Sequence, residues 1–172
     1  MQTNKKRKLV IKFFFVWSEH KEAQWLRKMS LQGWHLVKAS LFNYTFEKGE
    51  PRDFNYQFDF AINTRAKEEE YLELFHTAGW ELINRFGSWY YFRKPADEHG
   101  QEIYTDASSL KQKYRRVLMI LLATGLPLLL NLRLFSRSTA GSFYQYFMVF
   151  NLCLFVLWVY AFVRIILYMR KL

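Results

Sequence analysis

The apolar and polar positions follow two different rhythms along the 172 residues of the chain. In the N-terminal part, short stretches alternate between apolar and polar residues, and others repeat apolar residues at helical spacing. In the C-terminal part, two long runs are almost wholly apolar. The pattern predicts a folded head of strands and helices, followed by two membrane helices.

Strand patterns are densest in the head. Residues 54–62 alternate, with Phe54, Tyr56, Phe58, Phe60 and Ile62 predicted to point inward and Asn55, Gln57 and Asp59 outward. Residues 9–17, 35–47 and 81–93 also predict strands, because they are rich in β-branched and aromatic residues or alternate in polarity.

Two helices are expected between these strands. Trp25, Leu26 and Met29 have helical spacing after a cap at Ser18, and a second helix is expected from a cap at Thr64 through His76. Each helix is followed by a Gly-Trp pair, in which glycine ends the helix and tryptophan covers the core. We assign these pairs, Gly33-Trp34 and Gly79-Trp80, a structural role.

The two halves of the head resemble each other at an offset of 46 residues. Eight identities occur in 27 aligned positions: Glu22/Glu68, Leu26/Leu72, Gly33/Gly79, Trp34/Trp80, Leu36/Leu82, Tyr44/Tyr90, Phe46/Phe92 and Lys48/Lys94. The simplest interpretation is a duplicated βαβ unit.

Two βαβ units in sequence predict an α+β fold of the ferredoxin-like βαββαβ type. In that sandwich, one four-stranded antiparallel sheet carries both helices on one face. Residues 1–96 are expected to form this domain and residues 97–114 a polar and basic linker. Residues 115–172 would form two transmembrane helices, at about 117–135 and 146–168.

The net charge of +10 is unevenly distributed. Before Lys111 the chain has 16 Lys/Arg and 15 Asp/Glu, and from Lys111 onward it has nine Lys/Arg and no acidic residue. A nearly neutral head does not favour nucleic-acid binding. Seven basic residues flank the outer ends of the two apolar runs and two lie near their connection, which predicts a multi-pass cell-membrane protein with both termini in the cytoplasm.

No catalytic constellation is evident. The four histidines lack the spacing of metal ligands, and the one cysteine, Cys153, lies in an apolar run. We expect no cofactor, no bound metal and no enzymatic activity.

An exposed aromatic surface is the one candidate site. If the helices cover one face of the sheet, seven residues are predicted to share the open face: Phe13, Phe15, Trp17, Asp59, Arg85, Trp89 and Tyr91. Aromatic side chains mixed with a few polar groups are typical of a binding surface. The alternative is that a second subunit or the membrane-proximal segment covers this face.

The motif E-x-x-W-L-x-x-M-x-x-x-G-W-x-L from Glu22, the later F-x-x-A-G-W-E-L from Phe75 and the two apolar runs resemble a Firmicutes membrane-anchored family, domain of unknown function 2812. Its genes often lie beside those of PadR-type regulators. The resemblance implies a membrane location and a regulatory link, and it carries no catalytic residues.

We therefore expect a membrane-anchored cytoplasmic sensing or protein-interaction module. Its partners would be the lipid bilayer and either another protein or a second copy of the chain. An accessory subunit of a membrane transport complex is the alternative, while an RNA-binding module and an enzyme are less favoured.

Overall fold

The computed structural model describes residues 6–62, 65–96, 107–135 and 142–171. The chain separates into two compact units, Met1–Asp106 and Ala107–Leu172. The predicted cap at Thr64 and residues 97–106 of the predicted linker lie outside the described residues.

The first unit, the head, has the element order βαββ twice. Its elements are β1 (Arg7–Ile11), a 3-10 turn (Val16–Ser18), α1 (Glu19–Leu31), β2 (Trp34–Ala39), β3 (Asn43–Lys48), β4 (Phe54–Phe60), α2 (Arg65–Thr77), β5 (Glu81–Phe86) and β6 (Trp89–Pro95). Two antiparallel sheets result, with strand orders β1-β3-β2 and β4-β6-β5.

The α+β class is confirmed, but the single four-stranded ferredoxin-like sheet is wrong. Residues 35–47 and 81–93, each predicted as one long strand, are hairpins of two strands. The first hairpin turns after Ala39, where the Ser40 amide bonds the Asn43 carbonyl at 2.9 Å. The second turns at Gly87, whose φ of 59° is the left-handed value that a tight hairpin turn requires.

The two hairpins have the same register. Leu36 pairs with Phe46 and Leu82 with Phe92, and an irregularity follows at the next residue of both β2 and β5. The first strands do not keep the offset of 46, because Val10 pairs with Tyr44 whereas Asp59 pairs with Tyr90. Duplication remains our interpretation of this correspondence.

The β4-β6-β5 sheet is covered on both faces. Phe54, Tyr56 and Phe58 belong to the core around α1, whereas Tyr90 and Phe92 pack with residues of α2. Alternate positions of β4 are therefore both buried, and Asp59, which we predicted to point outward, is 3% exposed. Ile62, predicted inward, lies beyond the end of β4 and is 65% exposed.

Helix α1 packs against both sheets. Its buried residues Leu26 and Met29 share one core with residues of β2, β3 and β4. The Trp25 ring meets Tyr44 edge-on, at 5.0 Å between centroids. Each of these large buried side chains contributes roughly 1.5–3 kcal/mol to the stability of the fold.

The second unit contains two helices, α3 (Ala107–Phe135) and α4 (Ser142–Met169). Both are long and apolar enough to cross a membrane, over Leu110–Asn131 and Gln145–Met169. Helix α3 begins before the predicted position 117, so Lys111 and Lys113, which we assigned to the linker, belong to the helix.

A tryptophan joins the two helices of this unit. The Trp158 indole N–H donates to the Leu121 carbonyl at 2.8 Å, and the ring packs against Gly125, where a Cβ would overlap it. Only 6% of the apolar window of α4 is buried. A core helix of a soluble protein would be mostly buried, unlike this window.

Candidate functional site

The segment between β1 and α1 contains three consecutive phenylalanines that point in alternate directions. Phe14 points into the head and packs near Trp25 and Tyr44, at 5.6 and 6.2 Å between ring centroids. Phe13 and Phe15 are 44% and 47% exposed. The extended backbone, in which successive side chains alternate, explains this arrangement.

The exposed rings of Phe13, Phe15 and Phe42 and the half-buried ring of Trp17 form a continuous cluster, which we name the aromatic ledge. Phe13 lies 4.8 Å from Phe15 and 5.4 Å from Phe42 between ring centroids. Trp17 stacks on Phe15 at 4.6 Å. Phe42 comes from the turn of the first hairpin and is 51% exposed. Several large apolar rings side by side on a surface mark an interaction site.

A cavity of about 90 Å³ lies in the head, and Phe15 links it to the ledge. We name it the aromatic cavity. Aromatic rings from both halves of the head, two carboxylates and three smaller side chains line it. The lining residues are Phe14, Phe15, Val16, Glu19, Glu22, Ser40, Leu41, Tyr44, Phe58, Phe86, Trp89 and Tyr91.

A buried carboxylate belongs to this cavity. Glu22, in the first turn of α1, is 7% exposed, and its Oε1 accepts a hydrogen bond of 2.7 Å from the Tyr44 hydroxyl. Burial raises the pKa of Tyr44 and of Tyr91, and the nearby Glu22 carboxylate raises both further. Both hydroxyls therefore stay protonated at neutral pH and remain donors to the carboxylate.

The structure brings together only part of the predicted open-face site. Phe15, Trp89 and Tyr91 line the aromatic cavity, while Phe13 and Trp17 lie next to it in the aromatic ledge. These five residues come from the segment between β1 and α1 and from one side of β6, where Trp89 packs on Phe60 and Tyr91 on Phe58.

Asp59 and Arg85 lie on the opposite face of the second sheet, so their assignment to the site was wrong. Asp59 accepts a hydrogen bond of 2.7 Å from the hydroxyl of Tyr71, a residue of α2. Arg85 pairs with Glu68 of the same helix at 2.5 Å. The error follows from the single-sheet prediction, which placed both helices on one face and left the other open.

Glu22, Tyr44 and Phe42 were missed as site residues. Glu22 and Tyr44 are two of the eight identities between the halves, with Glu68 and Tyr90 as their counterparts. A glutamate and a tyrosine kept at the same spacing in both halves was the available signal for a paired contact. Phe42 carried no such signal, because its counterpart is Ser88.

The Gly-Trp pairs lie away from the aromatic cavity. Gly33 and Gly79 have φ of 75° and 82°, left-handed values that favour glycine after a helix. Trp80 is buried among residues of α2 and β6. Trp34 is partly buried, and the ammonium groups of Lys8 and Lys48 lie over its ring, at 5.4 and 5.1 Å from the centroid.

A second, larger groove lies between the two hairpins, with a volume of about 310 Å³. Its charged residues pair within the chain. Arg93 contacts Glu81 at 2.7 Å, and Glu47 contacts Arg7 at 2.9 Å. The His35 ring bonds the Glu50 carbonyl at 2.7 Å. These mutual pairings favour a structural role for the groove.

No group of three or more His, Cys, Asp or Glu side chains within the described ranges is placed to share a metal ion. Cys153 lies exposed on α4 and forms no disulfide. Among the described residues, the chemistry available at the aromatic cavity is therefore that of aromatic rings, the hydroxyls of Ser40, Tyr44 and Tyr91, and two carboxylates.

The protein is of the class in which an α+β domain is followed by two helices that are apolar enough to cross a membrane. The chain belongs to the family described as protein of unknown function (DUF2812), whose model matches residues 18–126, more than half of its length. The family resemblance carried by the glycine-tryptophan motifs is thereby confirmed.

The match covers α1, both hairpins and the first part of α3. The comparisons with curated proteins and with solved structures found no match.

Proposed function

We propose that this protein is a membrane-anchored, non-enzymatic module whose head, on the cytoplasmic side, senses a signal and binds a protein partner. The single observation that carries the proposal is the aromatic ledge on a folded head beside a small cavity. A regulatory role is part of the proposal.

The membrane part of the proposal rests on the second unit. The apolar side chains of α4 lie largely on its outside, and two polar side chains within the helices donate to backbone carbonyls. The Thr124 hydroxyl donates to the Leu121 carbonyl at 3.0 Å, and the Asn151 amide donates to the Phe147 carbonyl at 3.0 Å. Internal pairing of polar groups is what a lipid environment demands.

The cytoplasmic placement rests on charge. Basic residues flank the outer ends of the two spans: Lys111, Lys113, Arg115, Arg116, Arg164, Arg170 and Lys171. Arg133 and Arg137 are the basic residues near the connection between the spans. An excess of Lys and Arg next to a span keeps that end in the cytoplasm.

The partner-binding part rests on the chemistry of the ledge. Phe13, Phe15 and Phe42 are 44%, 47% and 51% exposed, and their rings lie next to one another. Large rigid rings provide contact area at low entropic cost, so they dominate the energetics of interfaces. A protein partner with an apolar patch fits this surface.

Photo-cross-linking in native membranes tests the proposal. A benzophenone amino acid in place of Phe13 is expected to give an adduct with one other protein, identified by mass spectrometry, and Phe15→Ala is expected to weaken it. The matched control places the same group at Leu74 of α2, an exposed apolar position outside the ledge, where no such adduct is expected.

Three outcomes contradict the recruitment of a partner: adducts with lipid alone, no adduct, or the same adducts from Phe13 and Leu74. An adduct with a second copy of the chain alone makes the ledge a dimer interface, which also overturns recruitment.

A further inference from the structure

The hydrogen bond between Glu22 and Tyr44 has a counterpart in the second half of the head. There the Tyr90 hydroxyl donates to Glu68 Oε1 at 2.9 Å. Glu68 and Tyr90 each follow their counterparts by 46 residues. The same acid-phenol contact therefore occurs once on α1 and once on α2.

In the second half, this contact also holds a cation from the chain. Arg85 Nη1 lies 2.5 Å from Glu68 Oε1, and the guanidinium carbon lies 5.2 Å from the centroid of the Tyr90 ring. The cation is thus bound by a carboxylate and by the face of an aromatic ring, two favourable interactions for a guanidinium group.

Ala39 occupies the position that corresponds to Arg85. Ala39 pairs with Tyr44 in the first hairpin as Arg85 pairs with Tyr90 in the second. An alanine side chain ends at Cβ, so the first half has no guanidinium at this position. The aromatic cavity lies beside the contact between Glu22 and Tyr44. Both residues line it, as does Ser40, which follows Ala39 in the chain.

The cavity lining suits a positive charge. Glu19 and Glu22 both line it, and the described lining residues include no Lys or Arg. The N-terminus of α1 offsets about half of one negative charge, which leaves the field negative. The nearby cation Lys12 lies over the rings of Phe14 and Trp25, at 5.0 and 4.5 Å from their centroids.

Aromatic surfaces complete the lining. Trp89, Tyr91 and Phe58 contribute from the second sheet, and Phe15 contributes from the ledge. Aromatic rings around an organic cation are a recurring mode of recognition. The volume of about 90 Å³ suits a compact head group, since pockets for drug-sized ligands are usually about 300–1,000 Å³.

We propose that the aromatic cavity binds a small organic cation of the alkylguanidinium or alkylammonium class. The cationic head group occupies the place beside Glu22 and Tyr44 that the Arg85 guanidinium occupies beside Glu68 and Tyr90. This inference rests on the proposed function, because it names the class of ligand that the sensing head recognises.

Calorimetric titration of the full chain in detergent micelles tests the inference. The probes are ethylguanidinium and ethylurea, a neutral molecule of nearly the same shape. Ethylguanidinium is expected to bind at least about ten-fold more tightly than ethylurea, since only the cation gains from the carboxylates. Equal affinities, or no binding of ethylguanidinium, overturn the inference.

A matched pair of variants locates the site. Glu22→Gln keeps the size of the side chain and an acceptor for Tyr44 but removes the charge, so the affinity for ethylguanidinium is expected to fall by about ten-fold. Glu68→Gln is the control, and it is expected to leave that affinity unchanged. Unchanged affinity in Glu22→Gln, or equal losses in both variants, overturns the inference.

Ala39→Arg supplies the cation from the chain itself. In a folded variant, confirmed by its tryptophan fluorescence, ethylguanidinium binding is expected to be abolished, and retained binding overturns the inference. If Ala39→Arg does not fold, the comparison of Glu22→Gln with Glu68→Gln tests the inference by itself.

The outcome is separable from that of the proposed function. If ethylguanidinium does not bind but the cross-link from Phe13 still forms, only this inference is overturned. If neither is observed, the proposed sensing module is overturned as well.

Discussion

The Tyr44 hydroxyl donates a hydrogen bond of 2.7 Å to the carboxylate of Glu22, and both side chains are buried. The bond joins strand β3 to the first turn of α1. It also places a negative charge at the aromatic cavity, where apolar surroundings would otherwise disfavour it. The hydrogen bonds from its tyrosine donors therefore stabilise the buried carboxylate.

Tyr44→Phe removes one of these donors. The free energy of unfolding is expected to fall by about 1.5–3 kcal/mol, the usual contribution of a hydrogen bond to a charged group. Tyr90→Phe is the matched control, and its loss is expected to be smaller, because Glu68 keeps Arg85 at 2.5 Å. Urea unfolding of the full chain in micelles, followed by tryptophan fluorescence, measures both. A larger loss in Tyr90→Phe would contradict this account of Glu22.

Gly33→Ala tests the turn that ends α1. A Cβ at Gly33 would lie 2.5 Å from the Gly49 carbonyl oxygen, whereas a Cβ at Gly87 meets nothing within 4 Å. Both residues have positive φ, so each alanine costs about 1 kcal/mol for the left-handed backbone. Gly33→Ala is expected to cost about 1–2 kcal/mol more because of the overlap. Equal unfolding midpoints for the two variants would count against that contact.

Acid is expected to weaken the connection between α1 and the second half of the head. Arg27 lies 2.6 Å from Asp53, and its hydrogen bond lowers the pKa of Asp53 below the ordinary value of 3.8. Because the pKa of Asp53 is lower in the folded state than in the unfolded state, the ion pair stabilises the folded state at pH values above the ordinary pKa. This stabilisation is lost as the pH falls through the lowered pKa. Both side chains are more than a third exposed, so we expect an effect under about 1 kcal/mol.

Unfolding of the wild type and of Asp53→Asn, compared from about pH 6 to about pH 3, measures this effect. The two proteins are expected to differ at the upper end of the range and to converge at the lower end. A difference that is constant over the whole range excludes the ion pair as its source.

Gly125→Val tests the packing of α3 on α4. The Trp158 ring lies against Gly125, and a Cβ there would overlap the indole. We expect a loss of about 1–3 kcal/mol, which is usual for overpacking. Ala123→Val is the control, because Ala123 is exposed. Titration with a denaturing detergent measures both variants, and equal stability would show that the glycine contact is dispensable.

The sequence pattern predicted element types better than it predicted sheet topology. Alternation marked β4 clearly, and helical spacing with a following glycine marked the end of α1. The first hairpin turn was missed because Ser40, Leu41 and Phe42 lack a Gly, Pro or Asp-Gly signal, so residues 35–47 resembled one strand. The second turn was missed even though Gly87-Ser88 is a turn signal. Because residues 35–47 and 81–93 each form two strands instead of one, the described part of the head has six strands, which form two three-stranded sheets.

The same error separates the candidate residues that the structure brings together from those that it does not. Phe15, Trp89 and Tyr91 depend on local alternation, and they do come together at the cavity. Asp59 and Arg85 depend on which face α2 covers, a relation between distant segments that periodicity does not encode. The cavity itself arises where β6 meets the segment before α1, and no local pattern predicts such a meeting.

Cysteine labelling of intact cells tests the central claim, that two membrane helices hold the head in the cytoplasm. In a Cys153→Ser background, single cysteines replace Lys28, on the exposed surface of α1, and Ser138, in the segment between the two helices. With a membrane-impermeant maleimide, Ser138→Cys is expected to react in intact cells, and Lys28→Cys only after permeabilisation. Labelling of Lys28→Cys in intact cells, or recovery of the chain in the soluble fraction without detergent, would contradict the account.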